Sequence, residues 1–170
     1  MHVLIATTGA LSADAAVKFT SHLLGESGKV SVTTVIEVPR SFLDQLRDEG
    51  WHPLGGRDQS NGLDREDDAV MARYVGERGR RLTEPVINAL RAAGIDAETI
   101  FLDGEDPAVS ISELANEIDA DVVVLGATRR IFDQSAWESV SARVMIESGR
   151  PVLVVPPPQK KTKQAEPEAK

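Results

Sequence analysis

Short apolar segments alternate along the chain with longer stretches in which apolar residues return at helical spacing. The apolar segments, several of them rich in β-branched residues, predict strands over Val3 to Thr7, Lys29 to Val38, Glu98 to Leu102, Val122 to Leu125 and Val152 to Val155. Between them, apolar residues three and four apart predict amphipathic helices. Short strands without a polar face indicate burial on both sides. The pattern therefore predicts an α/β domain with a doubly wound parallel sheet and helices on both faces.

Local signals predict where several helices begin. Ser12 precedes the first helix, and Asp106, followed by Pro107, precedes a later one. Ser and Asp are preferred caps, and proline is tolerated at the first helical position. The long helix after the second strand contains Pro85, which removes a backbone hydrogen bond and crowds the preceding turn. We expect a kink there, or a restart of the helix capped by Thr83.

Two segments depart from the strand and helix pattern. Residues 39–63 form a polar, glycine-containing insertion that is longer than the usual connections of α/β units. It is either a functional flap or a mobile insertion, and Trp51 within it either contacts a partner or anchors the loop on its own domain. Residues 157–170 are rich in Pro, Lys and Glu and predict a disordered charged tail. A single folded domain over 1–156 is expected.

Composition narrows the classes of function. The 170 residues include no cysteine, which removes thiol catalysis, thiolate metal sites and disulfides. The formal charge is −8, and without the lysine-rich tail, which carries +2, it is −10. An acidic body repels a phosphate backbone, so no nucleic acid partner is expected. No apolar run approaches the ~20 residues of a membrane span, and no leader pattern precedes the first strand. We expect a cytoplasmic protein without membrane contact.

Catalytic and metal-binding motifs are missing from the sequence. It contains no phosphate loop, dinucleotide fingerprint or nucleophile elbow. The histidines are scattered without metal-ligand spacing, so surface or loop positions and no metal site are expected for His2, His22 and His52. The acidic run 64–68 suits the start of a helix. Three arginines of the long helix form either an anion patch or a solvated helix face, namely Arg78, Arg80 and Arg81.

Four stretches together resemble the universal stress protein family, over nearly all of residues 1–156. They are Gly94-Ile95-Asp96-Ala97-Glu98, Asp103-Gly104-Glu105-Asp106-Pro107, Ala120-Asp121-Val122-Val123-Val124-Leu125-Gly126, and Ser139-Val140-Ser141 with Arg150-Pro151-Val152-Leu153-Val154-Val155-Pro156. The resemblance implies five parallel strands in the order 3-2-1-4-5, as in adenine nucleotide alpha hydrolase-like folds. It also implies a homodimer in which the last strands pair, here through Val152 to Val155.

That strand order places a switch point between strands one and four, where open α/β sheets bind ligands. ATP-binding family members have an Asp at the end of strand one, then Gly-x-x-Gly, nine residues, and Gly before Ser or Thr. Here Gly126 matches the first Gly of the pattern, but Thr8 stands in place of the Asp. Arg129 stands in place of the second Gly, and Glu138 stands in place of the Gly before Ser139. Only eight residues separate Arg129 from Glu138, one fewer than in the pattern. A Cβ obstructs close approach to phosphate oxygens, and the added carboxylate repels a triphosphate.

Two interpretations of the pocket stay open. In the first, ordinary ATP binding is lost, no cofactor is expected, and the chain is a stress-response regulator that acts through dimerisation and an unidentified protein partner. In the second, the chain is a nucleotide or anion sensor, and ATP or another adenine nucleotide binds through side chains. Its pocket would comprise Thr8, Gly9, Gly126, Thr128, Arg129, Arg130, Ser139 and Ser141. A slow nucleotide hydrolase is least favoured because no motif positions a base, so an enzyme is not expected.

Overall fold

In the described part of the chain, five parallel strands form one sheet. The computed structural model describes residues 1–25, 27–38, 63–126 and 140–156, and over 63–68 the backbone alone. The strands are β1 (His2–Ala6), β2 (Lys29–Ile36), β3 (Glu98–Asp103), β4 (Val122–Gly126) and β5 (Val152–Val155). Every neighbouring pair is parallel. The order β3-β2-β1-β4-β5 confirms the order that the resemblance implied.

The central strands β1 and β4 are buried on both faces, as their unbroken apolar sequences predict. In β1, Val3 and Ile5 belong to the hydrophobic core on one face of the sheet. Leu4 and Ala6 belong to the core on the other face. β4 alternates in the same way, and its Leu125 pairs with Ala6. The two strands therefore end side by side at the same edge of the sheet.

Helices cover both faces of the sheet. The described ranges contain α1 (Ala13–Leu24), α2 (Leu63–Ala92), α3 (Pro107–Glu117) and α4 (Val140–Glu147). Residues of α1 and α2 complete the first core, and residues of α3 and α4 complete the second. The predicted doubly wound architecture is thus confirmed. Among the described helices, none is long and apolar enough to cross a membrane.

Two predicted helix caps are present. The hydroxyl of Ser12 accepts a hydrogen bond from the N–H of Ala15 at 3.4 Å. The Asp106 carboxylate accepts from the N–H groups of Ala108 at 3.1 Å and Val109 at 3.4 Å, and the proline that follows it occupies the first turn. Both caps satisfy N–H groups that have no partner within the helix.

The predicted restart of the long helix at Pro85 is wrong, because α2 runs through the proline. Thr83 does not cap a new helix, since its hydroxyl donates to the carbonyl of Gly79 at 2.9 Å within the same helix. Val75 before the proline and Leu90 after it are both buried. Burying one continuous apolar face offsets the ~3 kcal/mol that an interior proline costs.

The ends of three strands differ from the sequence prediction, and β1 is His2–Ala6 where Val3 to Thr7 was expected. β2 stops at Ile36 and not at Val38, while β3 continues one residue further, to Asp103. The two terminal residues, Ile36 and Asp103, are partners in the ladder. A strand ends where its neighbour stops supplying hydrogen bonds, which is a property of the register and not of local sequence.

Other predicted segments lie outside the described residues. The predicted insertion 39–63 does so except for Leu63, where α2 begins. Trp51 within that insertion and the predicted tail 157–170 also lie outside them.

Candidate functional site

A cleft opens where β1 and β4 end, on the face of the sheet that carries α3 and α4. Apolar side chains form most of its walls, including Ala6, Leu11, Ile111, Leu125 and Val140. Thr8 and Ser141 bring hydroxyl groups to the same cleft. It lies at the switch point of the strand order, between the ends of β1 and β4, where open α/β sheets bind ligands.

The loop after β1 is held in a tight turn at the mouth of the cleft. Thr7 is buried, and its N–H donates to the carbonyl of Thr33 at 3.0 Å. Its hydroxyl accepts from the N–H of Gly9 at 3.0 Å. Gly9 has φ of 85°, which glycine adopts without strain, and a Cβ there would lie 3.4 Å from Cδ2 of Leu82 on α2. The turn leaves Thr8 exposed at the cleft.

Gly126 brings the end of β4 close to the backbone of that first loop. A Cβ at this position would lie 3.3 Å from Cα and 3.4 Å from the backbone N of Leu11. Real Cβ atoms seldom have room at such distances from a backbone, which cannot rotate away. Glycine at this position therefore allows the end of β4 and the loop after β1 to approach each other closely, and together they form the floor of the cleft.

An ion pair joins the helices on either side of the cleft. Asp106 caps α3, and Arg143 on α4 donates from Nη1 to both of its carboxylate oxygens, at 2.9 and 2.8 Å. Arg143 also donates from Nε to Glu147 at 2.8 Å. The hydrogen bond from Arg143 holds the pKa of Asp106 below its usual value, and desolvation opposes this. The same bond, followed by that to Glu147, raises the pKa of Arg143. The start of α3 and the body of α4 are thus fixed together.

The structure brings together three of the residues that sequence analysis assigned to the pocket. Thr8, Gly126 and Ser141 line one cleft, and Ser141 is buried in it. Gly9 adjoins the cleft but packs toward α2. The other four candidates lie outside the described residues, namely Thr128, Arg129, Arg130 and Ser139.

Sequence reasoning missed the apolar walls and the ion pair beside them. Ile111 and Leu125 look like ordinary core residues in sequence, and only the fold shows that they also face a cleft. Asp106 was assigned as a cap, but Arg143, 37 positions away, carried no signal in a single sequence. The one available hint was that Asp106 closely follows the end of β3, at the same edge of the sheet as the cleft.

His2 has a structural role that its terminal position did not suggest. It lies half-buried in β1, where Nδ1 is 3.0 Å from the carbonyl of Ile118 and Nε2 is 2.8 Å from the hydroxyl of Ser31. Its expected surface or loop position is therefore wrong. Within the four described ranges, no group of three His, Asp or Glu side chains is placed to hold a metal ion.

Comparisons with known proteins agree on one family. The sequence profile of the universal stress protein family matches residues 1–156. A solved universal stress protein in complex with cAMP is 19% identical, covers 91% of this chain and 96% of its own, and has a TM-score of 0.58. A family protein from Arabidopsis thaliana with AMP bound is 16% identical, covers 93% and 92%, and has a TM-score of 0.56. One from Burkholderia pseudomallei is 18% identical, covers 91% and 95%, and has a TM-score of 0.55. No curated protein sequence matches.

Proposed function

Because the chain belongs to the universal stress protein family, we propose that it is a stress-response regulator that senses an adenine nucleotide. The ligand class is a nucleotide with a single phosphate, such as AMP or cyclic AMP, and ordinary ATP binding is not expected. The observation that carries the proposal is the apolar cleft at the end of β1 and β4, whose lining includes the hydroxyl groups of Thr8 and Ser141. Family membership supports the role in the stress response.

The walls of the cleft suit a nucleoside. A purine ring buries apolar faces and keeps polar edges, and small-molecule sites combine apolar walls with a few placed polar groups. Ile111, Leu125 and Val140 supply such walls, while Thr8 and Ser141 supply hydroxyl groups. Two proteins of similar fold hold cAMP and AMP. These ligands support the choice of an adenine nucleotide.

The sequence of the loop between β4 and α4 favours a short phosphate group. Arg129 and Glu138 stand where ATP-binding family members carry glycines, so the backbone is less able to wrap a triphosphate. Glu138, close before α4, adds a negative charge where a phosphate chain would otherwise meet the helix dipole. One phosphate group meets less of this repulsion than three. The loop side chains that would contact it are those of Thr128, Arg129, Arg130, Ser139 and Ser141.

In this proposal the protein regulates by forming a homodimer and binding a protein partner, and not by catalysis. β5 is an edge strand of the sheet, and pairing it with a second copy would satisfy its outward backbone groups. A homodimer through Val152 to Val155, joined by a protein partner of unknown identity, is therefore the proposed working form in the cytoplasm. We propose binding without hydrolysis, since no motif of the sequence positions a base.

The test is to purify the chain natively, analyse co-eluting nucleotide, and measure its melting temperature with ATP, ADP, AMP and cyclic AMP. A ligand at a hundredfold excess over its Kd stabilises the fold by ~2.7 kcal/mol, a rise of about 5–10 °C for a domain of this size. We expect that rise with AMP or cyclic AMP and a smaller one with ATP. Near-stoichiometric ATP in the purified protein would contradict the proposal. No rise with any nucleotide would indicate a regulator that acts through partners alone.

A further inference from the structure

The sheet ends in two edge strands, β3 and β5, whose chemistry differs. β5 contains only apolar residues and carries no charge. β3 and the residues beside it carry four exposed carboxylates, those of Asp96, Glu98, Asp103 and Glu105. No basic residue lies between Ile95 and Asp106. Because like charges on paired strands are destabilising, two copies of β3 would repel each other, whereas two copies of β5 would not.

The outer edge of β3 offers backbone hydrogen bonds to an added strand. The N–H of Gly104, just after β3, donates to the carbonyl of Ile36 on β2 at 3.2 Å. Successive residues of a strand direct their backbone groups to opposite sides, so the even-numbered residues of β3 bond to β2. Thr99, Phe101 and Asp103 therefore direct their N–H and C=O groups outward. Within the described ranges, no sixth strand pairs with them.

A groove between α2 and β3 lies beside this edge and can receive side chains of an added strand. It is lined by Met71, Ala72, Val75, Gly76, Phe101 and Asp103. The ring of Phe101 faces α2, since a Cβ on Gly79 would lie 2.5 Å from its Cδ1. At Gly76 the groove is open, because a Cβ there would have no neighbour nearer than 4.0 Å. An added strand would point every second side chain to this face of the sheet, so an apolar side chain can enter the groove next to Phe101.

We propose that the outer edge of β3 binds an extended segment of a protein partner, which adds to the sheet as a sixth strand and carries basic residues beside apolar ones. The inference rests on the part of the proposed function that gives the chain a protein partner, and it does not depend on the nucleotide. Main-chain hydrogen bonds supply affinity in this mode of binding, and side-chain pockets supply specificity. Charged residues also protect edge strands from aggregation. The carboxylates of β3 do both, because they repel a second copy of β3 and attract a basic segment.

The test measures binding of two fluorescein-labelled peptides to the full chain by fluorescence anisotropy. The basic peptide is Thr-Lys-Val-Lys-Leu-Lys-Val-Lys-Thr, and the acidic peptide has Glu in place of each Lys. We expect the basic peptide to bind at least about tenfold more tightly than the acidic one, and added salt to weaken its binding.

Four variants of the chain locate the binding of the basic peptide. Asp103→Asn should weaken it about two- to fivefold, as expected for an exposed charge. Glu113→Gln removes the same charge from an exposed position of α3, on the other face of the sheet, and should leave it unchanged. Gly76→Leu fills the groove and should weaken it at least about tenfold. Arg80→Gln should tighten it, because Nη2 of Arg80 lies 4.0 Å from where a Cβ on Gly76 would be. Unchanged melting temperatures show that the variants are folded.

Hydrogen exchange at single amides tests the geometry. In the free protein, the N–H groups of Ile100 and Leu102 should exchange slowly because they bond to β2, and those of Thr99, Phe101 and Asp103 should exchange fast. A saturating amount of the basic peptide should slow the three fast amides. Failure of the basic peptide to bind, equal binding of the two peptides, or binding that leaves those amides unprotected would overturn the inference. None of these results bears on nucleotide binding, so the nucleotide part of the proposed function would stand. Loss of nucleotide binding alone would likewise leave the sixth strand intact.

Discussion

Arg143 donates from a single nitrogen to both carboxylate oxygens of Asp106, at 2.8 and 2.9 Å, across 37 positions of sequence. Asp106 at the same time caps α3, so one carboxylate satisfies the start of one helix and ties it to the next. Pro107 and Ile111 of α3 and Ser141 of α4 all line the cleft. The ion pair therefore joins the two helices on this side of the site, in addition to their shared apolar core.

Removing the charge of Asp106 is expected to lower stability in a pH-dependent way. Asp106→Asn keeps a side chain that caps helices well but cannot hold Arg143 as an ion. Since the folded state lowers the pKa of Asp106, its contribution is present above its ordinary pKa, near 3.8, and is lost as the pH falls through the lower folded value. The melting temperature of the variant should lie below that of the wild type at neutral pH, and the two should converge in acid.

The exposed pair of Arg73 and Glu77 supplies the control for this experiment. Arg73→Gln breaks an ion pair whose side chains are largely in solvent, and such changes usually stay within ~0.5 kcal/mol. A difference between the Asp106→Asn variant and the wild type that does not shrink below about pH 4 would show that the charge of Asp106 is not what stabilises the fold.

Two glycines of α2 should respond oppositely to alanine. A Cβ on Gly79 would lie 2.5 Å from Cδ1 of Phe101 on β3, whereas a Cβ on Gly76 would have no neighbour nearer than 4.0 Å. Gly79→Ala should destabilise the protein by about 1–3 kcal/mol through overpacking, and Gly76→Ala should stabilise it by about 0.5–1 kcal/mol through helix propensity. Urea denaturation measures both. Equal effects of the two changes would mean that α2 does not pack on β3 as described.

Blocking the outer edge of β5 is expected to separate the predicted dimer. The carbonyl of Pro151 accepts from Val123 of β4, so in a parallel ladder the odd-numbered residues of β5 bond inward and Val154 points its N–H outward. Val154→Pro removes that donor, and proline is tolerated on an edge in this orientation. Sedimentation should show a dimer for the wild type and a monomer for the variant, and similar circular dichroism spectra would show that both are folded. A wild type that stays monomeric at high concentration contradicts the dimer.

Local sequence signals correctly predicted those features of the fold that neighbouring residues determine, such as helix caps. Ser12 and Asp106 were assigned as caps from residue type alone, and both are caps. The predictions failed where a distant segment decides, as at Pro85, where α2 continues because both halves are buried on the same sheet. β2 ends at Ile36 for a similar reason, since β3 offers no partner beyond Asp103.

The candidate site likewise has features that the sequence predicted and features that depend on contacts between distant segments. The switch point and the glycine at the end of β4 were readable from the sequence, and the family match confirms the resemblance on which they were placed. The apolar walls were not readable, because Ile111 and Leu125 have the pattern of core residues. Arg143 could not be paired with Asp106 because one sequence gives no signal for contacts across 37 positions.

Binding of an adenine nucleotide in the cleft is tested by the affinity of two tryptophan variants for AMP and ATP, measured by titration calorimetry. Val140 and Val109 both lie near helix starts and are 37% and 38% exposed, but only Val140 lines the cleft. A tryptophan at position 140 fills the space of the ligand, and one at position 109 does not. We expect the wild type and Val109→Trp to bind AMP alike and ATP more weakly, and Val140→Trp to bind AMP at least about tenfold more weakly than the wild type. Unchanged AMP binding in Val140→Trp, or a wild type that prefers ATP, would contradict this expectation.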